Sequence, residues 1–211
     1  MENIGWNYDH VNKEGKNVFI FRDTCHKNPD IQTKILDESC RLMFGNYFKV
    51  MFSEGFEGHS PMIFYDPSNN GNKWNASEVL SYRFNSSERF VFGVEQKELL
   101  EKHLGIIRRK VILGKKQLEG SITLPEYSEL FGLQYLFDEV SKERSYCAVE
   151  AISTYMRFLN LDTAGLVYGD GHFEEITDKL KTKGIGYSYF YPGAVELTPE
   201  EAFEYSLQFM N

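Results

Sequence analysis

Apolar residues fall in short β-rich blocks separated by stretches of helical spacing. NVFIF (17–21), YFKVMF (47–52), RFVFG (89–93), AGLVY (164–168) and GYSYFY (186–191) are each long enough for a buried strand. Between the first two blocks, Ile31, Ile35 and Leu42 recur at helical spacing with Met43 beside them. Asn28-Pro29 supplies an N-cap and first-turn proline, and Gly45-Asn46 a C-cap pair. Leu99, Leu100 and Leu104 predict a helix over 95–104 that stops at Gly105. Leu124-Pro125-Glu126 opens a long helical stretch, with Tyr127, Leu130, Phe131, Leu136, Phe137 and Val140 on its apolar face. That stretch resumes at 143–158 after a break near Ser141. Phe173, Ile176 and Leu180 mark a helix capped by Gly184, and Thr198 to Glu201 a capping box for a last helix burying Ala202, Phe203 and Leu207. Residues 1–16 read as an irregular lead-in, 66–77 as a polar turn-rich loop and 106–124 as a hairpin or short excursion. Strands alternating with helices predict an α/β fold: a mostly parallel central sheet flanked by helices, in a single domain over residues 1–211.

Four of the strand-like runs share one grammar, each ending on a residue able to do chemistry. They lead to His26, Glu54, Glu95 and His172. In open α/β sheets ligands sit just outside the carboxyl ends of the strands, so these four side chains are candidates for one site. His172 follows Gly169-Asp170-Gly171, where glycines let the backbone turn sharply before a helix. Amide N–H groups at that helix start favour a neutral imidazole, ready as a base or a ligand; the alternative is a histidine that merely caps the helix. Alanine at His172 is expected to abolish activity and leave stability nearly intact. His26 stands in a comparable loop, with Asp23 three residues earlier to orient it and Cys25 beside it; it could equally be an ordinary loop residue. Glu54 precedes a glycine at a strand end, and Glu95 could simply occupy a helix first turn. Arg144 lies in a helical stretch, His103 reads as a helix-surface residue, and His59 is an accessory candidate.

Composition narrows the function classes. The 211 residues are 42% hydrophobic and 26% charged, as in globular proteins, and aromatics reach 15%. A net charge of −8 disfavours a nucleic-acid partner. Arg108, Arg109 and KVILGKK (110–116) form the one basic cluster, read as a solvated strand edge or helix end. Three cysteines argue against a disulfide framework. The polar N-terminus does not read as a signal peptide, and no apolar run has transmembrane length, so a cytoplasmic protein without a membrane partner is expected.

In this order the segments resemble the TraB/Tiki and EreA/ChaN-like superfamily. The resemblance runs over residues 17–191, through His26, Glu54-Gly55, Gly93-Val94-Glu95, Glu143-Arg144, Gly169-Asp170-Gly171-His172 and KTKGIGY (181–187). The chain departs from it at Asp23, where a glycine is expected, and in a compact middle. The resemblance implies a hydrolase acting on an ester or peptide bond of a small-molecule or peptide substrate. His26, Glu54 and His172 would bind a divalent metal, zinc, manganese or cobalt, or activate water directly. Whichever glutamate is not bound to the metal would be the general base, with Glu54 and Glu95 both open as the main carboxylate, and Arg144 would hold a substrate carboxylate or an oxyanion. Two rival readings are a small-ligand or haem-binding protein and a catalytically degenerate interaction protein on the same fold.

Overall fold

The computed structural model describes residues 4–55, 57–59, 75–86, 88–195 and 198. Most of the polar 66–77 loop and the capping box and helix expected from Thr198 onward lie outside them. The elements are β1 (Gly5–His10), β2 (Asn17–Asp23), α1 (Pro29–Phe44), β3 (Val50–Ser53), β4 (Glu57–His59), α2 (Ala76–Arg83), β5 (Phe90–Val94), α3 (Lys97–Leu118), α4 (Leu124–Phe158), β6 (Thr163–Gly169), α5 (Phe173–Thr182) and β7 (Gly186–Tyr191). The chain separates into two compact units. Over the described residues, one holds those up to Glu95 and Ser145–Val195, and the other holds Gln96–Arg144 and Thr198.

The first unit carries a seven-stranded sheet in the order β1-β7-β2-β6-β3-β5-β4. Strands β7, β2, β6, β3 and β5 are mutually parallel, and β1 and β4 are antiparallel edges. The expected mostly parallel α/β fold is thus present. Apolar side chains alternate between two cores, as a sheet buried on both faces requires. On one face Phe21, Met51, Val91 and Val167 meet α1 and α2 through Ile31, Ile35, Met43, Val79 and Leu80. On the other, Val18, Ile20, Phe52 and Leu166 meet Ala148, Val149, Ile152 and Met156 of α4, with Ile176 and Leu180 of α5.

Connections that step towards the β4 edge cross on the α1 face, and those that step back towards β1 cross on the α5 face. This is what right-handed crossovers demand when the direction of winding reverses. The reversal places the chain leaving β2 and the chain leaving β6 on opposite faces, which makes the carboxyl ends of β2 and β6 the switch point where open α/β sheets generally bind ligands.

Local chemistry explains the helix ends. Asn28 accepts from the amides of Asp30 and Ile31, and Asn75 and Glu78 form a capping box that starts α2. At the end of α1 the left-handed residue is Asn46, with φ 60°, rather than Gly45. Tyr47 N–H then returns to Leu42 C=O, which delays β3 to Val50.

Three expectations are corrected. Residues 5–10 form a strand: Trp6 packs on Phe19, Phe21 and Phe190 as β1 pairs with β7. In the second unit, α3 runs through Gly105 to Leu118, so 106–124 is mainly helix and its basic cluster belongs to that helix. Neither Gly105 nor Gly114 has a neighbour within 4 Å of a built β-carbon, so neither glycine is there for close packing. Ion pairs tie α3 to the start of α4, with Arg109 bidentate on Glu129 and Lys116 on Glu126. Lys116 and the Thr123 cap hold the Glu126 carboxyl down at about 2. Helix α4 is continuous across Ser141, without the expected break.

Candidate active site

Three parallel neighbours, β2, β6 and β3, end side by side at Asp23, Gly169 and Ser53. The residues just beyond them converge. A β-carbon built on Gly169 would stand 2.9 Å from Glu54 Oε2, 3.5 Å from His26 Nε2 and 3.6 Å from His172 Cδ2. Two imidazoles and a carboxylate therefore converge on the space that a side chain at Gly169 would fill. Gly169 has φ −56° and ψ 136°, open to any residue, so the glycine is required by space and not by backbone conformation.

Each member is oriented by its neighbours. Glu54 N–H donates to Val167 C=O, and its Oε2 accepts from Gly169 N–H at 2.6 Å. His26 Nδ1 lies 2.7 Å from Asp23 Oδ2, and the His26 side chain is 41% exposed. His172 sits in a single 3₁₀ turn, Asp170–His172, that leads into α5. Its Nδ1 meets Ser145 Oγ at 2.8 Å, its ring lies edge-on to Tyr168, and its Nε2 is 3.8 Å from Glu54 Oε1. The His172 side chain is only 10% exposed. Because the ring is buried, hydrogen-bonded to Ser145 and packed on Tyr168, alanine there is now expected to cost stability as well as activity. Arg22 secures the same turn by donating Nε–H to Asp170 Oδ1 at 2.5 Å, its guanidinium lying over Phe173.

Glu95 is buried, and its Oε1 accepts from the Tyr168 hydroxyl at 2.9 Å. It meets His172 through the Tyr168 ring. Arg144 belongs to the second unit, where its guanidinium contacts His103 Nδ1, and both residues are buried. His103 is thus not the helix-surface residue expected. It packs edge-on against Phe137. His59 closes β4 by pairing with Phe92.

Residues not singled out from sequence complete the site. Gln32, Ser145 and Tyr168 are buried and hydrogen-bonded to its members. A polar residue on the apolar side of a helix was the available signal for Gln32. Asp23, which departs from the resembled motif, is the partner of His26.

The orientation of both imidazoles, Nδ1 engaged and Nε2 or its neighbouring carbon turned to the cluster, is of the kind metal ligands have. Among the described residues, however, no three His, Cys, Asp or Glu side chains are spaced to hold a metal ion. Cys25, Cys40 and Cys147 form no disulfide, and no helix among the described residues is long and apolar enough to cross a membrane. No protein-family model matches the chain, and neither a curated protein nor a solved structure matches it.

Gly169→Ala is expected to displace Glu54 while the fold holds. The methyl would crowd the far end of a flexible side chain, not backbone. The imidazole NMR signals of His26 and His172 should move, with an unfolding midpoint within about 1 kcal/mol of wild type. Unmoved signals would show that the three side chains do not share this space.

Proposed function

We propose that the protein is a hydrolase in which His26 activates water for attack on an ester or peptide carbonyl. The observation that carries this reading is the convergence of His26 Nε2 and Glu54 Oε2 around Gly169 at the carboxyl edge of β6. With its Nδ1–H donating to Asp23, His26 turns the Nε2 lone pair towards the cluster, and a carboxylate oxygen accepts only. Two acceptors turned to one place suit a group with two O–H bonds to give, and water is that group.

His26 takes one proton as the water oxygen bonds to the carbonyl carbon, and the carbonyl electron pair moves to oxygen. Collapse of the tetrahedral intermediate re-forms the carbonyl and expels the alcohol or amine, which takes the proton back from His26. Glu54 holds the water's second hydrogen, which is why its own anchoring by Gly169 N–H matters. His172, held between Ser145 and Tyr168, walls the cluster and faces Glu54. The TraB/Tiki and EreA/ChaN-like resemblance favours the same class of reaction.

The test is turnover on panels of chromogenic esters and short peptides by wild type and Glu54→Gln. Wild-type hydrolysis lowered by about 10²-fold or more in the variant supports the reading. Absence of turnover across both panels, or equal rates, overturns it. Metal analysis of the same untagged protein checks the metal-centred version, which stoichiometric zinc, manganese or cobalt would restore.

A further inference from the structure

We propose that Asp23 is the positioning residue of the site and that Gln32 fixes its orientation, so that His26 stands with its proton on Nδ1 and its lone pair on Nε2. The inference rests on the hydrolase reading for its catalytic meaning, but its physical content is a tautomer that can be read directly.

The argument is one of donor and acceptor bookkeeping. Gln32 is fully buried in α1. Its Oε1 accepts the N–H of Ala76, the first residue of α2, at 2.7 Å. Its Nε2 donates to Asp23 Oδ1 at 2.8 Å and to Cys25 C=O at 3.0 Å. A backbone N–H can only donate and a carbonyl can only accept, so this amide has one workable orientation. Asp23 Oδ1 also accepts Cys25 N–H at 3.2 Å. The carboxylate is thereby held with Oδ2 turned to His26 Nδ1 at 2.7 Å. An ionised carboxylate is acceptor-only, so Nδ1 must be the donor and, in the neutral ring, Nε2 the acceptor. The direction of every bond from the start of α2 to the site is thus set by groups that cannot reverse.

The same bookkeeping predicts what asparagine does. Two donors, Gln32 Nε2 and Cys25 N–H, meet at Oδ1, so the asparagine oxygen is drawn there and its NH₂ turns to His26. Nδ1 must then accept, and the ring proton moves to Nε2. The site would keep its shape and lose its base, the wrong-tautomer effect known from the catalytic triad.

The experiment is long-range ¹H–¹⁵N correlation of the imidazole nitrogens in uniformly labelled wild type and Asp23→Asn, above the titration of the rings. His26 is assigned by its loss in His26→Gln among the chain's five histidines. The expected result is an Nδ1–H ring in wild type and an Nε2–H ring in Asp23→Asn. A wild-type ring protonated on Nε2, or averaged between tautomers, overturns the proposal without Asp23→Asn having to fold. A folded Asp23→Asn whose tautomer does not reverse also overturns it. Turnover separates this inference from the reading it rests on. Reversal with a fall of about 10³–10⁴-fold in kcat and little change in KM supports both. Reversal with unchanged turnover upholds Asp23 as the positioning residue and removes His26 as the base.

Discussion

His26→Ala is expected to lower hydrolysis by about 10²–10⁴-fold, the range a positioned general base contributes, with almost no loss of stability. The two halves of this expectation have separate grounds. Catalysis should fall because His26 is the more exposed of the two imidazoles, with Nε2 turned to the space that Gly169 leaves open. Stability should hold because the ring is partly in solvent. Its departure also leaves Asp23 Oδ1 with the bonds from Gln32 and Cys25 N–H, and opens Oδ2 to water from the side the half-exposed ring occupied. A midpoint shift within about 0.5 kcal/mol, as for ordinary surface changes, is the expected reading in urea. Added imidazole should restore part of the rate by entering the vacated space. Unchanged turnover on a confirmed substrate would remove His26 from the chemistry. A large stability loss would recast it as a structural residue.

The largest stability effect is expected from Gly165→Val, in the middle of β6. By propensity alone valine should improve a strand. The packing points the other way. A β-carbon at Gly165 would lie 2.6 Å from Phe48 Cε2 and 2.7 Å from Met51 Sδ, both in buried side chains. Overpacking of this kind costs about 1–3 kcal/mol for small additions, and valine adds a branched side chain where even one carbon does not fit. β6 is also hydrogen-bonded on both sides, to β2 and β3, so it cannot shift to make room. A fall of more than about 2 kcal/mol in the urea midpoint is expected. Combining Gly165→Ala with Phe48→Leu should recover part of the alanine variant's loss, because the shortened side chain vacates the disputed space. Strict additivity of the two changes would show that Phe48 is not the obstacle.

Both predictions draw on features of unequal visibility in the sequence. The strand-end grammar was legible because a parallel strand buried on both faces reads as a continuous apolar run. The residue where that run stops is then the residue at the sheet edge. His26, Glu54 and His172 were found in this way. Glu95 was found by the same rule, yet it takes a hydrogen bond from Tyr168 within the buried face. Strand β1 escaped notice because GWNYDH mixes polar and aromatic residues, as an antiparallel edge strand does. Helix α2 carries little amphipathic pattern, and its start was signalled only by Asn75 and Glu78 in capping-box spacing. Gly105 was misread because glycine punctuates a helix only where the chain must turn, and α3 continues through it. His103 looked exposed for want of any local sign that Arg144 and Phe137, far along the chain, would enclose it.

The order of the central strands has a consequence for how the molecule comes into being. β6 lies between β2 and β3, yet it is made after both, separated from β3 by more than a hundred residues of chain. A growing chain that has reached α4 holds β2 and the β3–β5 pair as separate fragments with open ladder edges. The strand that joins them, and that brings Gly169 between His26 and Glu54, does so in a late, non-local step, and β7 then enters between β1 and β2. Folding dominated by such long-range pairing is slow, and the open edges are exposed to other chains until it occurs.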